Sequence, residues 1–172
     1  MWTIITLVSI SLLLILVAQE NNFTLSSVFS SDDDSPMPLS NTSDEMHPLG
    51  KQCLSSHDGV EMHFHPFLTI LIDDEEFTIP KDTGISTSTC NNAMHMTHTH
   101  DTTGKIHVEG NSVEEVPLEV FFDVWGKHFD ETGIFDNRNG TIEMKVDGVV
   151  STDYQNLILK DGQNIIISYS SN

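Results

Sequence analysis

The pattern of apolar and polar residues after residue 60 predicts a β-strand with one buried face. Apolar side chains occupy alternate positions, and His63 and His65 lie between them. Successive side chains of a strand point to opposite faces, so the two histidines would share the face that does not enter the core. Pro66 interrupts the pattern, and because proline has no amide hydrogen to donate, we expect an edge position or a bulge there. The apolar positions are Met62, Phe64, Leu68, Ile70 and Ile72.

Short turn motifs separate the other apolar runs and predict hairpins. Aspartate-glycine pairs favour the tight turns that join antiparallel strands, because both residues tolerate positive φ angles. Aspartate at the first position and glycine at the fourth position of Asp101–Gly104 are likewise typical of a β-turn. The predicted units are runs 62–72 and 76–80 around Asp73-Asp74, runs 94–100 and 105–109 around Asp101–Gly104, run 141–146 before Asp147-Gly148, and runs 156–160 and 164–169 around Asp161-Gly162.

One segment has the spacing of an amphipathic helix. Pro117 suits the first turn of such a helix, and Gly126 can end it. The apolar stripe is typical of a helix that packs on a core. We therefore expect an α+β domain, a mostly antiparallel β-sheet built of hairpins with one short amphipathic helix packed on it. The residues at positions i, i+3, i+4 and i+7 of the stripe are Leu118, Phe121, Phe122 and Trp125.

The first fifty residues differ in composition from the rest of the chain. Residues 2–18 are uncharged and almost wholly apolar, which predicts a membrane anchor or a signal peptide within residues 1–19. No Lys or Arg precedes Lys51, and the missing basic n-region slightly favours an anchor. Residues 20–50 are rich in Ser, Asp and Asn and predict a disordered acidic tether. Residues 51–172 would then form one domain on the extracytoplasmic side of a membrane.

The net charge narrows the range of partners. The chain has 7 Lys and Arg against 26 Asp and Glu, which gives a net charge of −19. Binding to nucleic acid or to an anionic membrane surface needs clustered basic residues, so neither is expected. The acidic surface is typical of a solvated, self-repelling protein, and it also attracts cations.

The two cysteines, Cys53 and Cys90, predict a disulfide bond. An even number of cysteines in an exported domain favours pairing, because the compartment is oxidising. The alternative is a pair of thiolate metal ligands, which no C-x-x-C motif supports.

The histidines are concentrated, since six of the nine lie between residues 63 and 107. Two His-x-His pairs fall on predicted strands, where residues i and i+2 share a face about 6.5–7 Å apart. Imidazoles at that spacing can reach one metal ion at about 2.0–2.1 Å. A symmetric turn at 101–104 would place His107 opposite His98, whereas a bulged three-residue loop would turn His107 to the other face. The sequence therefore predicts a metal centre formed by His63, His65, His98, His100 and His107.

Three nearby side chains are candidates for additional ligands or for groups that orient the ligands. The Met96 thioether would favour Cu(I), although methionine at such positions is usually core filler. Asp101 or Glu109 could orient a ligand histidine, and Glu109 could alternatively act as a general base. Asp101 alone is more typical of a turn residue. His57 and His128 are isolated in the sequence and receive no predicted role.

The ligand types leave the metal open between copper and zinc. Imidazole suits zinc, copper, iron and nickel, and Cu(II) binds most tightly in the Irving–Williams order. Copper is therefore our first expectation. Zinc is the alternative, because three histidines and a water would make an open catalytic zinc site.

Five sequence motifs of the predicted domain can be compared with known protein families. They are Met-Thr-His-Thr-His-Asp at 96–101, Gly-Lys-Ile-His-Val-Glu at 104–109, Phe-Phe-Asp-Val-Trp-Gly at 121–126, His-Phe-His at 63–65, and Ile79-Pro80 with Gly84-Ile85. Together they resemble a family of exported histidine-rich proteins that is frequent in ammonia-oxidising archaea and scattered through bacteria. The resemblance covers roughly residues 53–170. It implies an extracytoplasmic location in copper-dependent organisms, and it implies no particular activity. Gly110 stands where the family pattern has Ser, and Pro117 where it has a capping Thr.

These observations predict an extracytoplasmic protein, membrane-anchored or secreted, that binds copper for capture, buffering or delivery. Two alternatives stay open: a histidine-ligated zinc or copper metalloenzyme, and an accessory subunit of a membrane complex with a membrane-protein partner. The sequence has no Ser-His-Asp or Cys-His nucleophile motif, which favours a binding protein over an enzyme.

Overall fold

The computed structural model describes residues 46–172. The predicted anchor or signal peptide at 1–19 and most of the predicted tether at 20–50 lie outside the described residues. Among the helices of the described part, none has the length and apolar character needed to cross a membrane. The first regular element is a 3-10 helix at Pro48–Lys51.

The described residues contain more strand than helix, as expected for the predicted α+β domain. A second 3-10 helix covers Tyr154–Asn156, and the α-helix α1 covers Glu119–Trp125. The strands are β1 (Cys53–Leu54), β2 (Met62–Phe64), β3 (Phe67–Ile72), β4 (Glu75–Phe77), β5 (Met94–His95), β6 (Thr97–His98), β7 (His107–Gly110), β8 (Phe129–Asp130), β9 (Gly133–Ile134), β10 (Gly140–Val146), β11 (Val149–Ser151) and β12 (Asn164–Ser171).

The largest sheet has five strands in the order β11-β10-β12-β3-β4. Two of its hairpins have the predicted two-residue turns, Asp73-Asp74 between β3 and β4 and Asp147-Gly148 between β10 and β11. All four turn residues have positive φ angles, which is the conformation that such tight turns require. The pairing of β12 with β3 is parallel, whereas the other pairs of this sheet are antiparallel.

Pro66 separates two strands that belong to different sheets. β2 lies in a three-stranded sheet of order β2-β7-β6, and β3 lies in the five-stranded sheet. The predicted single strand with an edge or bulge at Pro66 is therefore two strands. The Pro66 carbonyl accepts a hydrogen bond from the Ile106 amide at 3.0 Å, which uses the backbone group that proline retains.

The predicted hairpin around Asp161-Gly162 is not present. The segment before the turn bonds instead to the residues that precede α1, since the Leu118 amide donates to the Leu157 carbonyl and the Leu159 amide donates to the Val116 carbonyl. β12 pairs with β10 and β3 and occupies the centre of the five-stranded sheet. This position buries Ile165 and Ile167 completely, which a two-stranded hairpin could not do.

α1 follows the sequence prediction and packs on the core. Phe121 and Phe122 are fully buried, and Gly126 ends the helix in the left-handed conformation at φ 68°. The Thr97 hydroxyl in β6 donates to the Val120 carbonyl of α1 at 3.5 Å. Because adjacent strand residues point to opposite faces, His98 faces away from the helix.

Candidate metal centre

The three-stranded sheet brings the predicted histidines onto one face. β7 is the central strand, with β2 on one side and β6 on the other. Its register places His63 opposite Glu109 and His98 opposite His107. This is the symmetric register of the two that the sequence allowed. His65 follows β2 directly and continues the same face, so the side chains of three neighbouring strands meet.

The loop between β6 and β7 is fixed by contacts with its own residues and with β3. The Asp101 carboxylate accepts hydrogen bonds from the Thr103 amide at 2.9 Å and from the Thr103 hydroxyl. The Gly104 carbonyl accepts from the Leu68 amide at 2.8 Å. A Cβ at Gly104 would lie 2.2 Å from the Leu68 carbonyl oxygen, and its φ angle is 78°, so only glycine fits there. These contacts fix the register of β6 against β7 and therefore the positions of His100 and His107.

The ring nitrogens of neighbouring histidines lie at the separations expected of ligands that share an ion. The distances between Nε2 atoms are 3.0 Å for His63 and His65 and 3.2 Å for His98 and His100, and His107 Nδ1 lies 3.2 Å from His65 Nε2. Two ligands at about 2.0–2.1 Å from a tetrahedral ion lie about 3.3 Å apart. His65 Nε2 faces two ring nitrogens, but it carries only one hydrogen or one lone pair. A hydrogen bond can therefore account for one of these two contacts, whereas a shared ion would account for both.

The orientation of His98 suits metal binding. Its Nδ1 lies 2.9 Å from the His95 carbonyl oxygen, which can only accept a hydrogen bond, so Nδ1 carries the hydrogen. The lone pair is then on Nε2, which faces His100. A backbone partner on the other ring nitrogen is the usual way in which proteins orient a ligand histidine.

Burial keeps several of these imidazoles neutral, and only the neutral ring binds a metal. Desolvation lowers the pKa of His98 to about 4, although the hydrogen bond to the His95 carbonyl and the charge of Glu109 both act to raise it. Desolvation and the neighbouring His65 and His100 lower the pKa of His107 to about 4. Burial likewise lowers the pKa of His65. At neutral pH these three rings are therefore available as ligands.

Glu109 is a buried carboxylate among the histidines. Its side chain is 0% exposed, and its Oε1 lies 2.8 Å from His57 Nδ1, 3.1 Å from His63 Nε2 and 3.5 Å from His107 Nδ1. Burial alone would raise the pKa of this carboxyl, but the hydrogen bond from His57 and the charges of His98, His57 and His63 give a net lowering. Glu109 is therefore an anion within reach of a bound cation.

His57, for which the sequence suggested no role, belongs to the same cluster. Its ring centroid lies 5.1 Å from that of His100 and 5.7 Å from that of His98, and its Nδ1 contacts both Glu109 oxygens. The residue lies outside regular structure, between β1 and β2. Strand periodicity cannot detect a ligand in such a loop. The one hint in the sequence is that His57 follows Cys53 closely, and the predicted disulfide bond would fix the start of this loop.

Two further candidates, Met96 and Asp101, lie outside the histidine cluster. Met96 is 0% exposed and belongs to the hydrophobic core with Ile106 and Val108, which is the core-filler position that the sequence also allowed. Asp101 is exposed and closes its own turn, where hydrogen bonds from Thr103 lower the pKa of its carboxyl. Its position corresponds to that of a turn residue.

Other ligand types in the chain are engaged elsewhere. Cys53 and Cys90 form the predicted disulfide bond, so they are not thiolate ligands. His95 is fully buried between the Gly50 carbonyl and the Thr87 hydroxyl. His128 lies 3.0 Å from the Asp130 carboxylate.

Within the part of the chain that the structure describes, three groups of side chains hold their ligand atoms within 4.8 Å of one another. Imidazole nitrogen with one carboxylate oxygen is a donor set that suits zinc, copper, iron and nickel. The residues therefore fit a transition-metal ion. The groups are His57, His98 and His100; His63, His65 and His107; and His98, His107 and Glu109.

Comparison of the chain with protein families, with curated proteins and with solved structures finds no match. The resemblance to exported histidine-rich proteins stays a prediction from sequence motifs.

Proposed function

We propose that this protein is an extracytoplasmic copper-binding protein that captures, buffers or delivers the metal. The observation that carries the proposal is the meeting of six histidines and one buried carboxylate on one face of a three-stranded sheet. Isolated surface histidines would be solvated separately. Here ligand nitrogens lie 3.0–3.2 Å apart, a spacing that a shared ion explains.

The donor set supports copper over other metals. All the converging donors are imidazole nitrogens apart from the Glu109 carboxylate, and Cu(II) forms the most stable complexes with such ligands. The disulfide bond is favoured in an oxidising compartment. Such a compartment lacks the cytosolic pool of reduced thiols that would compete for copper. Zinc is the alternative, and the same ligands accept it.

The access to the cluster supports exchange of the ion. The side chains of His57 and His63 are 44% and 41% exposed, while the Glu109 side chain between them is fully buried. An ion could therefore enter from solvent past two exposed imidazoles and meet the buried carboxylate below. A capture or delivery protein needs such a path, whereas a structural metal site is closed.

The location is proposed from three features that agree. The apolar segment at 1–19 predicts export, the disulfide bond between Cys53 and Cys90 requires an oxidising environment to persist, and the motif resemblance implies an exported protein. Membrane fractionation of cells that express the full chain tests anchoring. Recovery of the protein in the soluble cytosolic fraction with free thiols would contradict the proposed location.

Metal analysis of the purified full-length protein tests binding. We expect stoichiometric Cu(II) after loading and gel filtration, and tighter retention of Cu(II) than of Zn(II) in competition with a chelator. The variant His98→Gln with His100→Gln should retain less metal than the unaltered protein, whereas His128→Gln should retain the same amount. Equal metal content in all three proteins, or no retained metal in the unaltered protein, would rule out the proposal.

A hydrolytic zinc enzyme is the second candidate function. Glu109 lies 3.1 Å from His63 Nε2, close enough to reach a water bound to the same ion. The exposed mouth of the site would admit a small substrate. Hydrolysis or hydration activity of the zinc-loaded protein that disappears in Glu109→Gln, with zinc retained, would favour this candidate over a binding protein.

A further inference from the structure

We infer that the histidine cluster binds two metal ions side by side, an inference that rests on the proposed metal-binding function. The cluster contains six histidines, which is more than one four-coordinate ion can use. The sequence predicted that imidazoles from neighbouring strands converge on a single ion, and it gave His57 no role. With His57 included, the ligands divide into two sets of three.

The first set consists of His63, His65 and His107. The ring centroids of these residues lie 4.4–5.9 Å apart, and His65 Nε2 lies 3.0 Å from His63 Nε2 and 3.2 Å from His107 Nδ1. His65 is thus the middle ligand of this set. The three nitrogens come from β2, the residue after β2, and the facing strand β7. They can form three corners of a tetrahedron, with the fourth corner open to another ligand.

The second set consists of His57, His98 and His100. Their ring centroids lie 4.9–5.7 Å apart, and His98 Nε2 lies 3.2 Å from His100 Nε2. His98 is oriented by the His95 carbonyl and is fully buried, while the other two rings lie at the exposed end of the cluster. This set has the same composition as the first and needs no residue from it.

The two sets are adjacent, and His107 and Glu109 connect them. His107 belongs to the first set, but its ring centroid lies 4.6 Å from that of His100 and 5.3 Å from that of His98. By contrast, the centroid of His57 lies 6.4 Å from that of His63 and 6.3 Å from that of His107. The sets are therefore close enough for neighbouring ions, and their ligand atoms fall into separate groups, each within 4.8 Å, instead of one group of six.

Glu109 occupies the position of a bridging carboxylate. Its Oε1 lies 2.8 Å from His57 Nδ1 in the second set and 3.1 Å from His63 Nε2 in the first. Carboxylates commonly hold pairs of ions about 3.5–4 Å apart, and the negative charge reduces the repulsion between the ions. Full burial of a carboxylate is costly, and a positive charge beside it offsets that cost. One cation bound by each set of histidines would supply that charge.

Copper stoichiometry and electron paramagnetic resonance of the full-length protein test the inference. We expect two Cu(II) per chain after loading and gel filtration. The spectrum should have the half-field signal, or the reduced integrated intensity, of two coupled Cu(II) ions. One Cu(II) per chain with an uncoupled spectrum would overturn the pair of ions but leave the proposed function intact. No retained copper would overturn both.

Variants that remove one set at a time sharpen the test. His63→Gln with His65→Gln should leave one Cu(II) at the second set, and His57→Gln with His100→Gln should leave one at the first. Both should give the uncoupled spectrum, and the control His128→Gln should keep two coupled ions. The four positions changed in the double variants are exposed or half-buried, so unfolding is not expected, and circular dichroism checks it. Two ions in either double variant, or none, would contradict the assignment of the sets.

Discussion

The two faces of the three-stranded sheet contrast in composition and in what they contribute. One face carries Met62 and Val108, which are buried in the hydrophobic core below α1. The other carries His63, His107 and Glu109, which lie two residues apart along the same strands or directly opposite one another. Burial of the apolar face stabilises the fold. On the histidine face, in contrast, burial removes polar groups from water, which costs free energy unless an ion binds them.

This contrast indicates that folding depends on one face of these strands, whereas the proposed metal binding depends on the other. The apolar face should determine whether the domain folds, with or without metal. The histidine face should determine how stability responds to metal and to pH. Four experiments test this separation.

The largest effect is expected from the apolar side. Phe122 is fully buried in α1 and stacks on Phe129 at a centroid distance of 4.8 Å. Phe122→Ala should lower the free energy of unfolding by about 3–5 kcal/mol in denaturant titrations, because it leaves a cavity. Val113→Ala, at a position that is 78% exposed, should change it by less than about 0.5 kcal/mol. A loss below about 1 kcal/mol in Phe122→Ala would show that this face does not dominate stability.

The next effect is the stabilisation of the folded protein by metal. An ion that binds only the native state at 100 times its dissociation constant adds about 2.7 kcal/mol per site. Thermal unfolding of the chelator-treated protein should therefore shift upward on addition of Cu(II) or Zn(II). The variant His98→Gln with His100→Gln should show a smaller shift. An identical shift in this variant would mean that the ion stabilises the protein from elsewhere.

A smaller effect is expected from the buried carboxylate. Glu109→Gln keeps the shape of the side chain but removes its charge, and loss of such a group beside ligand histidines typically weakens metal affinity by about 10–100-fold. Competition titrations with a chelator measure this change. The matched control is Glu114→Gln, an exposed acid that only bonds Ser112 and should leave the affinity unchanged. Equal affinities in both variants would exclude Glu109 from the site.

The last experiment concerns the response of the metal-free protein to acid. His98 and His107 have pKa values lowered to about 4, from an ordinary value of 6.5. Between these values the unfolded chain takes up protons that the native state does not, so native stability falls as pH decreases from about 6.5 to about 4. The lowered pKa of Glu109 acts in the same direction below its ordinary value of 4.5.

Thermal unfolding in the presence of a chelator, at several values between pH 7.5 and pH 4.5, measures this response. The melting temperature should decrease with pH in the unaltered protein and decrease less in His107→Gln, where one of the low-pKa rings is absent. A melting temperature that rises as the pH falls, or an equal decrease in both proteins, would contradict burial of neutral histidines in this cluster.

The predicted elements differ in how far the sequence could define them. The helix at Glu119–Trp125 and the two-residue turns at Asp73-Asp74 and Asp147-Gly148 depend on neighbouring residues alone, and they were predicted at the right places. The break at Pro66 was expected as an edge or a bulge, because local sequence does not say that the chain changes sheet there. The segment 156–160 had the alternation of a strand but bonds to the residues before α1.

Local sequence defines which side chains share a face, since the period of two in a strand is a property of the backbone. It therefore pairs His63 with His65 and His98 with His100. Long-range packing sets three further features: β7 lies between these two pairs, its register places His107 opposite His98, and a loop brings His57 to Glu109. Strand order and loop position depend on burial of apolar surface between residues that are distant in the chain, which no local pattern encodes.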